Sequence, residues 1–206
     1  MHDAAALIAE LRPYVADERV LDAIAAVPRE RFVPGPLRDR AYENSALSIG
    51  CGQTISQPLV VARMSEILDP RPDDRVLDVG TGSGYHAAVL AKLARHVWSI
   101  ERHGRLSRRA ARNLAEAGIA NVTLIVGDGT RGLPDEAPFD AINVAAAGSA
   151  DALSELEAQL APGGRLVAPV SGEQQRLVAT RRTAYGLERR VFEEVRFVPL
   201  VRDRRS

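Results

Sequence analysis

The chain has 206 residues, a length that favours one domain with an N-terminal elaboration. Its 27 basic and 27 acidic residues balance, which argues against a general nucleic-acid binder, because such proteins carry a basic excess. No apolar run approaches the roughly 20 residues of a membrane helix, and the N-terminus lacks the pattern of a secretory signal. Cys51 is the one cysteine, so no intrachain disulfide can form. Together these features lead us to expect a cytoplasmic protein.

The N-terminal third of the sequence predicts helices separated by an irregular segment. Helical spacing of apolar side chains occurs over residues 4–15, 18–26 and 58–68. Asp17 is placed to cap the second of these helices, and Pro58 suits the first turn of the third. Residues 28–50 are rich in proline and predict loop and extended chain. The stretch GCGQTISQP that follows is too polar for a core strand and predicts a hydroxyl-bearing turn.

From Arg75 onwards, strands and helices alternate. The predicted strands are RVLDVG, HVWSIE, NVTLIVGD, FDAINVAAA and RLVAPV, and the helices between them are YHAAVLAKLAR, GRLSRRAARNLAEAG and DALSELEAQLAPGG. This alternation predicts an α/β fold with a doubly wound, mostly parallel sheet. Two last strands, QQRLVATRR and LERRVFEEVRFVPLV, are joined too closely for a helical crossover, so the sheet is expected to end antiparallel, with their order left open.

These elements predict a single domain over residues 1–206. Residues 1–70 form an N-terminal helical extension, and residues 71–206 form the core that carries the sheet. The core begins with the strand that ends in Asp78-Val79-Gly80-Thr81-Gly82-Ser83-Gly84, directly before a helix.

The glycines of this loop, Gly80, Gly82 and Gly84, allow a tight turn and a close approach of the backbone to a ligand. Their G-x-G-x-G spacing differs from the G-x-G-x-x-G of dinucleotide folds. Asp78 offers a carboxylate for an ammonium group. S-adenosylmethionine lacks a phosphate and carries an ammonium group, so it is favoured over NAD. The alternative is a plain strand-to-helix turn.

A further acid follows each of the next two strands. Glu101 ends the second strand, about 20 residues past the glycine loop, where a carboxylate pairs with ribose hydroxyls. Asp128 follows the third strand, where it can accept a hydrogen bond from an adenine amino group. Either acid alone could be a helix cap or a surface charge. Polar sites after three successive strands together predict a Rossmann-like, class I S-adenosylmethionine-dependent methyltransferase core.

From about residue 27 to residue 201, the chain resembles the protein-L-isoaspartate O-methyltransferases. The segments that carry the resemblance are AVPRERFVP, AYENSALSIGCGQTISQP, VARMSEIL, RVLDVGTGSGY, GDG, APFDAI, LAPGGRLVAPV and VRFVPLV. Many methyltransferases share the glycine loop, whereas GQTISQP and RFVPLV are much more specific to this family.

The resemblance implies methyl transfer from S-adenosylmethionine to the free α-carboxylate of an L-isoaspartyl residue in a damaged protein or peptide. S-adenosylhomocysteine is the other product, and the ester closes to a succinimide whose hydrolysis returns some normal aspartate. Ser56 is implied as the active-site residue, on a turn carried by the 1–70 extension. The cofactor contacts implied beyond the glycine loop are Gln53, Thr54, Ile55, Ser56, Glu101, Asp128 and Gly129. We expect a monomer without a metal, nucleic-acid or membrane partner.

The nucleophile in this reaction needs no general base, because a carboxylate with a pKa of roughly 3.5 to 4 is ionised at neutral pH. The protein must instead align oxygen, methyl and sulfur. Ser56 is therefore expected to orient the carboxylate without acting as a nucleophile. A cap for the helix that starts at Pro58 is its alternative role.

One segment departs from the family pattern. Family members carry proline soon after the fourth strand, in an A-A-P pattern, where this chain has Ala145-Ala146-Ala147-Gly148. Glycine loosens a loop that proline stiffens, which puts substrate recognition in question more than cofactor binding. This departure motivates one alternative, a carboxylate methyltransferase acting on an aspartate of a dedicated peptide or on a small-molecule acid. A second alternative, independent of this segment, is a non-catalytic S-adenosylmethionine-binding module, against which the intact Thr54, Ser56, Glu101 and Asp128 argue.

Overall fold

The structure, a computed structural model, describes residues 3–202. The helices are α1 (Ala4–Leu11), α2 (Glu18–Ala26), α3 (Pro58–Leu68), α4 (Tyr85–Leu93), α5 (Gly104–Glu116) and α6 (Ala150–Glu157). The strands are β1 (Leu47–Gly50), β2 (Gln53–Ile55), β3 (Arg75–Val79), β4 (His96–Glu101), β5 (Val122–Val126), β6 (Phe139–Val144), β7 (Leu160–Val170), β8 (Arg176–Thr183) and β9 (Gly186–Glu194). Asp17 caps α2 as predicted, since its side chain accepts a hydrogen bond from the Arg19 N–H.

The main sheet has seven strands in the order β5-β4-β3-β6-β7-β8-β9. Strands β3 to β7 pair in parallel, and β8 and β9 pair antiparallel. The predicted doubly wound α/β fold with an antiparallel end is confirmed. Only Ala184 and Tyr185 separate β8 from β9, so these strands must be neighbours, which settles their order in the sheet.

Several element boundaries differ from the predictions, and three of the differences bear on the fold around the site. The helix expected to reach residue 164 ends at Glu157, because Leu160 already pairs with Phe139 of β6. The last strand, expected to continue to residue 201, ends at Glu194, and the chain then leaves the sheet. The segment expected as irregular chain up to residue 50 contains β1, which pairs antiparallel with β2.

The N-terminal helices share a hydrophobic core with one face of the sheet. Leu11 of α1, Leu21 of α2 and Leu90 of α4 are fully or almost fully buried in the same cluster. Helix α2 packs against α4, the helix that follows the glycine loop. The N-terminal extension is thereby fixed beside the loop expected to bind the cofactor.

A chain of buried polar side chains links the central strands. Asp78 of β3 accepts hydrogen bonds from Ser99 of β4 and from Asn143 of β6, both at 2.7 Å. The Asn143 amide nitrogen also lies 3.2 Å from Nδ1 of His86, and Nε2 of His86 lies 3.2 Å from the Ser65 hydroxyl. Since an amide NH₂ only donates, Nδ1 must accept and Nε2 carries the proton.

The histidine in this network is held neutral. Burial lowers the pKa of His86 to about 3, and a protonated ring would point an N–H at the Asn143 NH₂ group. Between pH 6.5 and 3 the unfolded chain therefore binds a proton at this residue that the folded chain does not. Stability from this group is complete above pH 6.5 and is lost as the pH falls.

We predict that His86→Gln makes the free energy of unfolding less sensitive to acid. Urea titrations at several pH values measure this free energy. As the pH is lowered from 6 to 4, it should fall more steeply in the wild type than in the variant, by up to about 1.4 kcal/mol per pH unit. Burial raises the pKa of Asp78, which gives a slope of opposite sign that is common to both proteins. His96→Gln is the comparison: burial also lowers the pKa of this partly exposed ring, but His86 is the more deeply buried, so His96→Gln should change the slope less. Equal slopes for the wild type and His86→Gln would contradict the assignment.

Candidate active site

The GCGQTISQP stretch forms a hairpin followed by a helix start. Gly50, Cys51 and Gly52 take φ values of 90°, 54° and 69°, so three successive residues adopt the left-handed region that favours glycine. This turn joins β1 to β2, and Leu47 pairs with Ile55. A Cβ placed on Gly82 would come 3.3 Å from the Ile49 side chain, so the hairpin lies directly on the glycine loop.

Ser56 follows β2 and lies on the wall of the cleft between the hairpin and the sheet. It does not cap α3: the N-cap position is Gln57, which makes no side-chain capping bond. The Asn44 side chain instead accepts a hydrogen bond from the Leu59 N–H, at 3.0 Å. Within residues 3–202 the Ser56 hydroxyl makes no hydrogen bond of its own, which leaves it available to a ligand in the cleft.

The three glycines of the loop have two different structural roles. Gly80, Gly82 and Gly84 all have positive φ, but only the first two line the cleft. A Cβ at Gly84 would come 3.2 Å from the Ala110 side chain of α5. Gly84 therefore allows α4 to pack closely on α5, and it lies off the cleft wall where the prediction expects a cofactor contact.

Glu101 joins the end of β4 to the glycine loop. One carboxylate oxygen accepts the Gly82 N–H at 2.8 Å, and the other accepts the His103 N–H at 2.9 Å. The residue is 5% exposed and lines the cleft. Each carboxylate oxygen can accept a second hydrogen bond, so the group suits a pair of neighbouring hydroxyls such as those of a ribose.

Asp78, predicted to receive an ammonium group, does not line the cleft. Its side chain is fully buried, and both oxygens accept hydrogen bonds from the Ser99 and Asn143 side chains. A carboxylate at the centre of a parallel sheet must be hydrogen-bonded in this way, because an unpaired buried charge is costly. Its role is to hold three strands together beneath the loop.

Asp128 lies beside the cleft and Gly129 lies on its wall. The Asp128 carboxylate accepts hydrogen bonds from the Thr130 N–H and hydroxyl, at 2.9 and 2.7 Å, and so caps the short 3₁₀ turn that follows β5. A Cβ on Gly129 would come within 2.6 Å of the Val79 side chain, so a larger residue would push into the wall. Of the predicted pair, Gly129 shapes the cleft and Asp128 holds the turn that carries it.

One cleft of about 950 Å³ brings most of the predicted residues together, at the upper end of the range for small-molecule sites. The predicted residues on its wall are Gln53, Thr54, Ile55, Ser56, Gly80, Gly82, Glu101 and Gly129. Two further wall segments, residues 173–175 and 194–201, are not among the predicted site residues. The family-specific RFVPLV sequence is the available signal for the second segment, although its apolar pattern predicts a strand.

The segment that departs from the family pattern is held from two sides. Ala147 exchanges backbone hydrogen bonds of 2.8 and 2.7 Å with Val198 and Leu200 of the C-terminal segment. The Gly148 N–H donates to the Pro169 carbonyl at 3.2 Å, a bond that a proline at 148 could not make. These bonds tie the segment to β7 and to the C-terminal segment in the folded structure.

The polar groups and the shape of the cleft fit S-adenosylmethionine. The glycine loop exposes backbone, Glu101 supplies acceptors for ribose hydroxyls, and Gly129 leaves room for a flat ring beside β3 and β5. Within residues 3–202 no group of three or more histidine, cysteine or acidic side chains could hold a metal ion.

Comparisons with known proteins agree with this geometry. The family described as Protein-L-isoaspartate(D-aspartate) O-methyltransferase (PCMT) matches residues 2–205. A protein-L-isoaspartate O-methyltransferase from Photorhabdus laumondii is 50% identical over 95% of this chain and 94% of its own. One from Bordetella avium is 53% identical over 95% of this chain and 75% of its own.

Solved structures give the same result. A protein-L-isoaspartate O-methyltransferase structure aligns with a TM-score of 0.86 at 30% identity, over 96% of this chain, which spans 65% of that structure's chain. A Plasmodium falciparum structure, crystallised with S-adenosyl-L-homocysteine, aligns with a TM-score of 0.84 at 25% identity over 98% of this chain and all of its own. The chain belongs to the protein-L-isoaspartate(D-aspartate) O-methyltransferase family.

Proposed function

We propose that this protein methylates the free α-carboxylate of L-isoaspartyl residues in damaged proteins and peptides, the first step of their repair through a succinimide. The observation that carries the proposal is the meeting of the Ser56 hydroxyl, the Gly80–Gly82 backbone and the Glu101 carboxylate on one cleft wall. A hydroxyl without an adjacent base suits an acceptor that is already an anion. The family to which the chain belongs performs this reaction with S-adenosylmethionine.

When bound, S-adenosylmethionine supplies an electrophilic methyl group. In this proposal Gly80 and Gly82 give it backbone contact, Glu101 accepts from its ribose hydroxyls, and Gly129 makes room for its adenine. Gln53, Thr54 and Ile55 belong to the wall on the hairpin side, with the Ile55 side chain buried at 4% exposure and the Thr54 side chain exposed. Asp78 and Gly84 support this surface from below.

Ser56 is the residue proposed to orient the substrate. Its hydroxyl can donate one hydrogen bond to a carboxylate oxygen, which limits the cost of placing that anion in a cleft. One neutral donor leaves the other oxygen nucleophilic, whereas an arginine or lysine clamp would stabilise the ground state as well. Holding the reacting atoms in line can contribute roughly 7 to 11 kcal/mol to barrier lowering.

We further propose a monomeric, cytoplasmic enzyme without a nucleic-acid partner, in which the 1–70 extension and the 71–206 core act as one domain. Balanced charge supports the absence of a nucleic-acid partner, and the shared core of α1, α2 and α4 supports the single domain. No helix in the described range, residues 3–202, has the length and apolar character needed to cross a membrane.

The substrate assignment predicts a clear preference between two peptides that differ only at one linkage. A peptide with an L-isoaspartyl residue should accept labelled methyl groups from S-adenosylmethionine, and its normal aspartyl twin should not. The labelled methyl that base treatment releases from the ester measures methyl transfer to each peptide. Equal rates with the two peptides would favour the alternative carboxylate methyltransferase. Cofactor binding without methyl transfer to either peptide would favour the non-catalytic module.

Ser56→Ala should lower kcat for the isoaspartyl peptide by roughly 10- to 100-fold, the loss expected for one hydrogen bond to a charged group. The affinity for S-adenosylmethionine, measured by calorimetry, should stay within a few-fold, since Glu101 and the glycine loop are untouched. Ser48→Ala, at an exposed hydroxyl on the same hairpin and away from the cleft wall, is the matched control. Unchanged turnover in Ser56→Ala would remove the orienting role.

A further inference from the structure

One arginine is buried beneath the active-site turn without an acidic partner. Arg29 lies on the 3₁₀ turn of residues 29–32, is 0% exposed, and is among the largest fully buried side chains. Within residues 3–202 no carboxylate forms an ion pair with it. Burying a guanidinium in this way is costly, so its position calls for a compensating role.

The contacts of Arg29 connect three parts of the site. Its Nη2 donates to the Ser56 carbonyl at 2.8 Å, and its Nε donates to the Ala41 carbonyl at 2.9 Å. The guanidinium carbon lies 4.6 Å from the ring centroid of Tyr85, the first residue after the glycine loop. One planar cation thus joins the turn that carries Ser56 to the start of the helix behind the cofactor loop.

From this geometry we infer that Arg29 is a positioning residue for methyl transfer, which fixes the Ser56 main chain and thereby the direction of the Ser56 hydroxyl. The bonded carbonyl carbon is attached directly to the Cα that carries the Ser56 side chain. A rotation of this peptide unit would swing the hydroxyl away from the substrate. Arginine suits the task because its fork of donors is rigid and remains charged when buried, whereas lysine offers a single mobile ammonium.

The inference rests on the proposed function, because the reaction measured is methyl transfer to an isoaspartyl peptide. If the wild type does not methylate that peptide, the proposed function fails. If the wild type is active and the Arg29 variants keep its kcat, only the positioning role fails. The two failures are therefore distinguishable.

The test compares Arg29→Met with Phe32→Leu. Phe32 lies on the same 3₁₀ turn, is 0% exposed, and packs edge-on against Tyr85 with ring centroids 5.6 Å apart, but it makes no bond to Ser56. Both variants are expected to unfold at a lower temperature than the wild type. Assayed well below those temperatures, Arg29→Met should lower kcat by about 10- to 100-fold, since small misplacements of reacting groups cost on that order. Its KM for S-adenosylmethionine should change less than threefold, and Phe32→Leu should keep kcat within about threefold.

Arg29→Lys covers the case in which the methionine variant does not fold. It keeps a cation near Tyr85 but cannot hold the Ala41 and Ser56 carbonyls in one plane, so kcat should fall at least about fivefold. A folded Arg29 variant with kcat within twofold of the wild type would overturn the inference. An equal kcat loss in Phe32→Leu would also overturn it, because the effect would then be one of general packing.

Discussion

The bond between the Arg29 guanidinium and the Ser56 carbonyl is the constraint on which the site depends. The hairpin that precedes Ser56 is short, and its turn places Cys51 in the left-handed region. Such a segment has little rigidity of its own. Buried donors from the helical extension below, and the glycine loop against Ile49 above, hold it in one position. The extension therefore completes the active site and does not merely cover the sheet.

A reaction that needs no base places its demands on alignment, and the structure reflects this. One histidine on the cleft wall, His86, is neutral and hydrogen-bonded to Ser65 and Asn143. Asp78 is committed to Ser99 and Asn143. These groups stiffen the floor of the cleft and perform no proton transfer. Beside them the cleft wall offers the Ser56 hydroxyl and the backbone of the glycine loop, which suit an anionic acceptor.

The sequence predicted most of the fold, because local patterns determine it. Capping by Asp17, the apolar spacing of α3 and the alternation after Arg75 are all set by neighbouring residues. The end of α6 was missed because β7 starts early to pair with β6, a contact between distant segments. The C-terminal segment was predicted as a strand for the same reason: its apolar residues pair with Ala147 and line the cleft instead.

The site was predicted in part. Residue types and spacing were enough to predict Gly82 and Glu101 in one cleft, and the resemblance to the family added Ser56. Side-chain direction was not in the pattern, so it could not show that Asp78 and Gly84 lie off the cleft wall. Arg29 lies in the AVPRERFVP segment of the family resemblance, but nothing in the sequence shows its role, since its partners are backbone carbonyls, which any residue has.

A double-mutant cycle on kcat for an isoaspartyl peptide tests the central claim most directly, with Arg29→Met, Ser56→Ala and the double variant at saturating substrates. If Arg29 acts through Ser56, its loss matters little once the hydroxyl is gone, and the double variant should lie within about threefold of the slower single variant. Single effects that multiply in the double variant would contradict the account, because the two residues would then act independently.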